Sequence, residues 1–262
     1  MNKSYWGLWT LLLAAFVFFA VLSFWQDGIS IGGFDIKTGT FARDLMGYKP
    51  EKHTQPADTV AADEKHPKGW RAPMDTTAKN ILFIGDSMLE GLAPRLAKYC
   101  DKNGHTLVEV IWYSSSTLVW GKSGRLAELI EKYKPNYIFV CLGANELYVP
   151  DIKRARRPYV KKILAEIGKI PYVWIGPPNW DEDTGINDLI AQEVEDGCFY
   201  LSANDHFERS RDGAHPTRTS AHQWMDRVVK WVGTSGAHPI RLEDPGSGIG
   251  RASHIIVYQP PV

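Results

Sequence analysis

The sequence predicts an α/β protein: a three-layer α/β/α sandwich around a five-stranded parallel sheet, preceded by one N-terminal transmembrane helix. Three observations predict it. From residue 80 onward, short apolar runs alternate with segments of helical periodicity, the pattern of a parallel sheet covered on both faces. Two of these runs stop abruptly at a glycine, in Gly85-Asp86-Ser87 and Gly143-Ala144-Asn145, as strands do when the chain turns at a sheet edge. Ahead of them, Tyr5 to Trp25 carries no charge and is rich in Leu, Phe, Ala and Val, long enough to cross a bilayer as a helix.

Taken in order, the elements read as follows. Trp6, Trp9 and Trp25 sit near the ends of the apolar segment, as interfacial aromatics do, and Lys3 before it favours a cytoplasmic N-terminus. A cleaved signal peptide is the competing reading, but it would carry a shorter apolar region and a small-x-small site. Here Val21-Leu22-Ser23-Phe24-Trp25-Gln26 is bulky, so residues 1–25 read as an uncleaved anchor. Residues 26–79 read as an extracytoplasmic linker, largely disordered. Within it, 28–48 leaves room for a short ordered piece, whereas 49–75 has almost no large apolar side chains to bury. The domain proper spans 80–233. Its strand candidates are 80–85, 106–112, 136–142, 170–176 and 197–202, and its helix candidates about 88–103, 122–133, 157–168, 186–195 and 218–233. In the first helix Leu89, Leu92, Leu96 and Tyr99 share one face. Residues 234–262 form a Gly/Pro-rich tail with one strand-like run, Ser253 to Tyr258, to which no place in the fold is assigned.

Composition excludes some functions. Thirty basic and 30 acidic residues balance, which gives no global electrostatic case for nucleic acid. Cys100, Cys141 and Cys198 do not suggest a disulfide framework; burial as small hydrophobes is their default. No Cys/His spacing resembles a zinc site, no Gly-x-Gly-x-x-Gly or Walker pattern is present, and neither metal nor cofactor is expected. Tryptophan is frequent. Trp112, Trp120, Trp174 and Trp180 fall in or near strand ends, as core residues or as a platform for a sugar ring.

The chemistry concentrates in three motifs. Ser87 follows a buried strand at the carboxyl edge of a sheet, where open α/β folds place their sites. Backbone N–H groups at the following helix start can stabilise developing negative charge there. A plain turn with Asp and Ser as capping residues is the bland alternative. A serine hydroxyl is a weak nucleophile that needs an adjacent base, and His215 supplies a candidate. Asp212, three residues earlier, could bond the far ring nitrogen and fix its tautomer; local capping is the other reading. His206 and His222 are neighbouring histidines, neither with an Asp three residues before it.

In the order Gly85-Asp86-Ser87, Gly143-Ala144-Asn145, Asp212-Gly213-Ala214-His215, the set resembles the SGNH/GDSL hydrolase superfamily, over roughly residues 79–233. The resemblance implies a flavodoxin-like sheet and ester chemistry through an acyl-serine, with Ser87, Asp212 and His215 catalytic. It implies an oxyanion hole of the Ser87 N–H and the Asn145 amide, with Glu146 where the usual pattern has Asp. The family's remaining block carries a Gly after the second strand; this chain has Tyr113-Ser114-Ser115-Ser116-Thr117, where Ser116 is the candidate for the third donor. Trp180, after the fourth strand, is a candidate substrate contact. Lys153, Arg154, Arg156, Arg157, Lys161 and Lys162 form a solvated helix face or a cationic rim for an anionic glycan. The expected activity is a membrane-anchored extracytoplasmic serine esterase on the periplasmic side of the cytoplasmic membrane. It would remove small acyl groups, foremost O-acetyl, from an envelope polysaccharide or other carbohydrate. An O-acyltransferase using the same serine is the near alternative, and it admits a membrane O-acyltransferase partner. A non-catalytic glycan-binding module is the alternative of another class.

Overall fold

The apolar run Asn80–Gly85 forms β3, near the middle of a six-stranded sheet in this computed structural model, which describes residues 29–31, 34–36 and 67–260. Ile81, Leu82, Phe83 and Ile84 are all fully buried, because a strand covered on both faces needs apolar residues on each. Around it lie β4 (Thr106–Trp112), β5 (Tyr137–Cys141), β6 (Tyr172–Ile175), β7 (Phe199–Tyr200) and β8 (His254–Tyr258), in the order β7-β6-β5-β3-β4-β8. Every pairing is parallel. Counting from β3, the first five strands run 2-1-3-4-5, the flavodoxin-like order. Its switch point lies between β3 and β5, the two strands that lead to Ser87 and Asn145.

Two helices cover one face. On it, α1 (Leu89–Asn103) buries Leu89, Leu92, Leu96 and Tyr99, the face read from the sequence, against Trp224, Val228 and Val232 of α6 (Arg218–Thr234). The other face carries α2 (Thr117–Ser123), α3 (Arg125–Tyr133), α4 (Ile152–Ile167) and α5 (Ile186–Glu193). The single helix expected at 122–133 is two, broken at Gly124, and α4 starts five residues before the expected 157. Pro158 sits inside α4, in its second turn. Trp112, Trp120 and Trp174 are buried, so these three are core and not a platform.

The sheet has six strands where five were expected, because the tail is part of it. Residues 254–258 pair with β4, Val108 beside His254 through Trp112 beside Tyr258. Before that strand the tail wraps α1. Arg95, 6 % exposed, bonds Asp226 and donates to the Gly246 and Gly248 carbonyls at 2.6 and 3.0 Å, and the Gly250 N–H reaches the Pro94 carbonyl at 2.8 Å. At the other end, residues 67–79 are tied in as well: Ala72 N–H donates to Ala237 and Arg241 N–H to Asp75, at 2.8 and 2.9 Å. The ordered body thus begins before residue 80 and continues past 233.

Contacts divide the chain into two units, 1–63 and 64–262. In the first, β1 (Ile29–Ile31) pairs antiparallel with β2 (Phe34–Ile36). The anchor expected at 5–25 and most of the expected linker lie outside the described residues. Among the described residues, no helix is long and apolar enough to cross a membrane.

Candidate active site

The turn after β3 is shaped by close packing. A Cβ on Gly85 would fall 2.2 Å from a Leu89 methyl and 2.4 Å from the Cys141 carbonyl oxygen, so only glycine lets the strand pass into α1 here. Asp86 is fully buried; one carboxylate oxygen accepts from the Met88 N–H at 3.0 Å, holding the turn. Its other oxygen has no hydrogen-bond partner. Burial lifts this carboxyl to about 7, with further upward pressure from Glu146. The turn leaves the Ser87 side chain facing a cavity of about 520 Å³.

His215 reaches Ser87 from the loop before α6. Its Nε2 lies 2.8 Å from Ser87 Oγ, and its Nδ1 lies 2.8 Å from Asp212 Oδ2. The loop is knitted for this. Asp212 Oδ1 accepts from the N–H groups of Ala214 and His215 and from the Ser210 hydroxyl, each at 2.9 Å. The His215 backbone N–H leads the interactions, followed by the His215 ring, that hold the Asp212 carboxyl far below the ordinary range. Ser210 N–H donates to the His215 carbonyl at 2.8 Å, and Arg209 to that of Ala214 at 2.6 Å. Asp212-x-x-His215 is therefore both a local cap and a relay: one oxygen orders the backbone while the other holds the ring. His206 and His222 lie elsewhere, the first beside Phe207 in a separate pocket and the second on α6.

Asn145 sits in the short 3-10 turn Ala144–Glu146 after β5. Its Nδ2 donates to the Ser115 carbonyl at 2.9 Å, which engages one of its two amide hydrogens, and Asn145 itself is not among the residues that line the Ser87 cavity. The β4 loop differs from expectation. Ser116 is the N-cap of α2, its hydroxyl accepting from the Val119 N–H at 3.3 Å, and it is not among the cavity's lining residues. Ser114 is. It adopts φ 54°, the left-handed conformation glycine would take, so it occupies the place where a Gly was missed. Nothing local in a run of three serines separates these two. Trp180 is likewise absent from that lining; its indole N–H donates to the Ala144 carbonyl at 2.9 Å and so braces the Asn145 turn.

The cavity also takes Glu90, Tyr113, Arg218, Gly91 and Ala221, none of them singled out by the sequence. Tyr113 donates its hydroxyl to Glu90. The basic residues of α4 form a solvated face laced with ion pairs, none of them lining the Ser87 cavity, with Arg156 the exception. Arg157 pairs with Glu193 at 2.9 Å, Lys162 with Glu166 at 3.6 Å, Arg154 with Asp151, and Arg156 turns inward to Glu146 at 2.5 Å. Among the described residues, Glu195, Cys198 and His238 could present metal-ligating atoms within 4.8 Å of one another, a grouping their sequence spacing did not reveal. Cys198 precedes β7, away from the edge that holds Ser87.

No protein-family model matches this chain, and no curated protein matches it. Solved structures similar to it include the psychrotrophic esterase EstA from Pseudoalteromonas sp., 15 % identical over 58 % of this chain and 96 % of that one, with a TM-score of 0.46. An α/β-hydrolase enzyme from the metagenome of Lake Arreo, Spain, is 14 % identical over 60 % and 97 %, with a TM-score of 0.48. A lipase/acylhydrolase from Enterococcus faecalis is 16 % identical over 58 % and 95 %, with a TM-score of 0.46. Likenesses this distant leave the chemistry to be argued from the site itself. The 2-1-3-4-5 strand order and the placement of Ser87 and Asn145 after the two strands at its switch point match what the resemblance to the SGNH/GDSL hydrolase superfamily implies.

Proposed function

We propose that this chain is a serine enzyme that acts on ester bonds, and the continuous relay from Ser87 Oγ through His215 to Asp212, 2.8 Å at each step, carries the reading. His215 Nε2 takes the hydroxyl proton as Oγ attacks the acyl carbonyl. Asp212, acceptor-only at neutral pH, keeps the ring's N–H on Nδ1 and leaves Nε2 as the base. The tetrahedral oxyanion faces the Ser87 N–H and the second hydrogen of the Asn145 amide, with Ser114 as the backbone candidate from the β4 loop. Collapse expels the alcohol, which takes its proton from His215. A second nucleophile then attacks the acyl-serine by the same steps in reverse order.

The substrate is an acylated carbohydrate, foremost an O-acetyl ester, acted on outside the cytoplasmic membrane by a domain held there through residues 5–25. The uncharged apolar run and the bulky junction after it support the location. The broad, open cavity, with Glu90, Tyr113 and Arg218 on its walls, supports a polar substrate over a long acyl chain. Transfer to a sugar hydroxyl differs only in what attacks the acyl-serine. The test incubates the purified full-length protein with p-nitrophenyl acetate and with acetylated glycans, with and without a sugar acceptor. Acetate release supports hydrolysis, and acetylated acceptor supports transfer. Absence of both, together with no labelling by a fluorophosphonate, would point to the non-catalytic glycan-binding module instead. For the location, the protein should need detergent for extraction; a soluble mature form beginning near Gln26 would refute the anchor.

A further inference from the structure

Glu146 replaces the Asp usual beside the block's Asn, and the structure gives the longer side chain a specific reach. It is fully buried. One carboxylate oxygen accepts from the Thr117 backbone N–H at 2.8 Å; the other accepts from the Thr117 hydroxyl at 2.9 Å and from Arg156 Nε at 2.5 Å. Arg156 comes from α4 with its side chain 18 % exposed, and Thr117 is the first residue of α2. Three elements therefore meet on one carboxylate. Two residues before Thr117, the Ser115 carbonyl is the acceptor that orients the Asn145 amide at 2.9 Å. Ser115 is itself buried, its hydroxyl accepting from Trp120 Nε1 at 3.0 Å. Glu146 directly follows Asn145, so the clamp and the amide contact join the same two backbone segments at adjacent positions.

We propose that Glu146 is a positioning residue of the oxyanion hole: clamped between Thr117 and Arg156, it fixes the spacing between the Asn145 turn and the Ser114–Thr117 segment, and so aims the Asn145 amide at the reacting carbonyl. This rests on the serine-enzyme reading above. The proposal makes Arg156 part of the site's framework although it touches no substrate. It also gives a reason for Glu over Asp, since the carboxylate must span to a neighbouring strand's loop and to a helix at once.

A double-mutant cycle on the full-length chain tests this, with p-nitrophenyl acetate as substrate, well below each variant's melting temperature. Glu146→Gln keeps the shape and removes the charge, which avoids stripping Arg156 of any neighbour. In the wild-type background it should lower kcat roughly 10- to 100-fold with KM within about twofold, the scale of a small misplacement at a reacting centre. In an Asn145→Ala background the same change should cost less than about threefold, because the amide it aims is gone. An equal fold-loss in both backgrounds, or no loss in the first, overturns the positioning role while leaving the enzyme reading intact. Wild-type activity no greater than that of Ser87→Ala overturns the enzyme reading and the clamp with it.

Discussion

Asp212 directs one oxygen at the His215 ring and the other at three donors of its own loop, so the imidazole has one orientation and one tautomer. Replacing it by Asn leaves the loop's acceptor in place but offers the ring an N–H or the wrong face. Asp212→Asn should therefore lower kcat by on the order of 10⁴, the effect of the equivalent change in Ser-His-Asp enzymes. Steady-state rates with intact near-UV circular dichroism check it, and a loss under tenfold would deny Asp212 its role. His215→Ala should abolish activity, whereas His206→Ala and His222→Ala should keep most of it. Asn145→Ala should cost roughly 100- to 1,000-fold in kcat with a smaller effect on KM. That Ser87, Asp212 and His215 come together was legible because each lies in a short local motif. The places of Ser114 and Trp180 were not. The first depends on a backbone angle that three successive serines do not encode, and the second on which side of the Asn145 turn the indole falls.

At the scale of elements, the proposed nucleophile and its base are carried by two helices that touch. Ser87 leads into α1 and His215 leads into α6, and the helices meet at Gly91 and Ala221, both on the cavity wall. A Cβ on Gly91 would lie 2.4 Å from the Ala221 Cβ, far inside van der Waals contact. Gly91→Ala should push α1 and α6 apart, destabilise the protein by about 1–3 kcal/mol, as overpacking does, and lower kcat by loosening the Ser87–His215 contact. Thermal unfolding and kinetics on one preparation check both parts; unchanged stability and rate would mean the helices do not set that distance. The sequence displayed the periodicity of α1 but not this crossing, which joins positions 130 residues apart. For the same reason the sequence showed the solvated face of α4 but not the inward turn of Arg156, whose partner in the Asn145 turn is set by tertiary packing.

Over the whole molecule, the alternation of apolar runs was enough to read five strands and the layers around them, because a strand buried on both faces is apolar along most of its length. The sixth strand escaped this reading because β8 is an edge: Ile255 and Val257 are about half exposed while Ile256 packs inward, and the run is short and lies beyond a Gly/Pro-rich stretch. Ending the chain at residue 244 should remove β8 and the carbonyl partners of buried Arg95, and should lower the melting temperature markedly; an unchanged melt would make the tail dispensable. Beside β8, on β4, Glu109 is buried, and burial, helped by Glu90, lifts its carboxyl to about 7 from an ordinary 4.5. A carboxyl raised on folding favours the folded state at low pH, and that contribution is lost as pH rises from about 4.5 through about 7. Glu109→Gln should accordingly gain stability relative to wild type between pH 5 and pH 8, read by denaturant unfolding at both; a difference independent of pH would contradict the shift. All of these elements serve one assignment, that Ser87 is the nucleophile. Intact-mass and peptide mass spectrometry after fluorophosphonate treatment of the full-length protein tests it most directly. A single adduct on Ser87 in the wild type and none in Ser87→Ala is the expected result; an adduct that persists in the variant, or a wild type that takes none, would contradict the assignment.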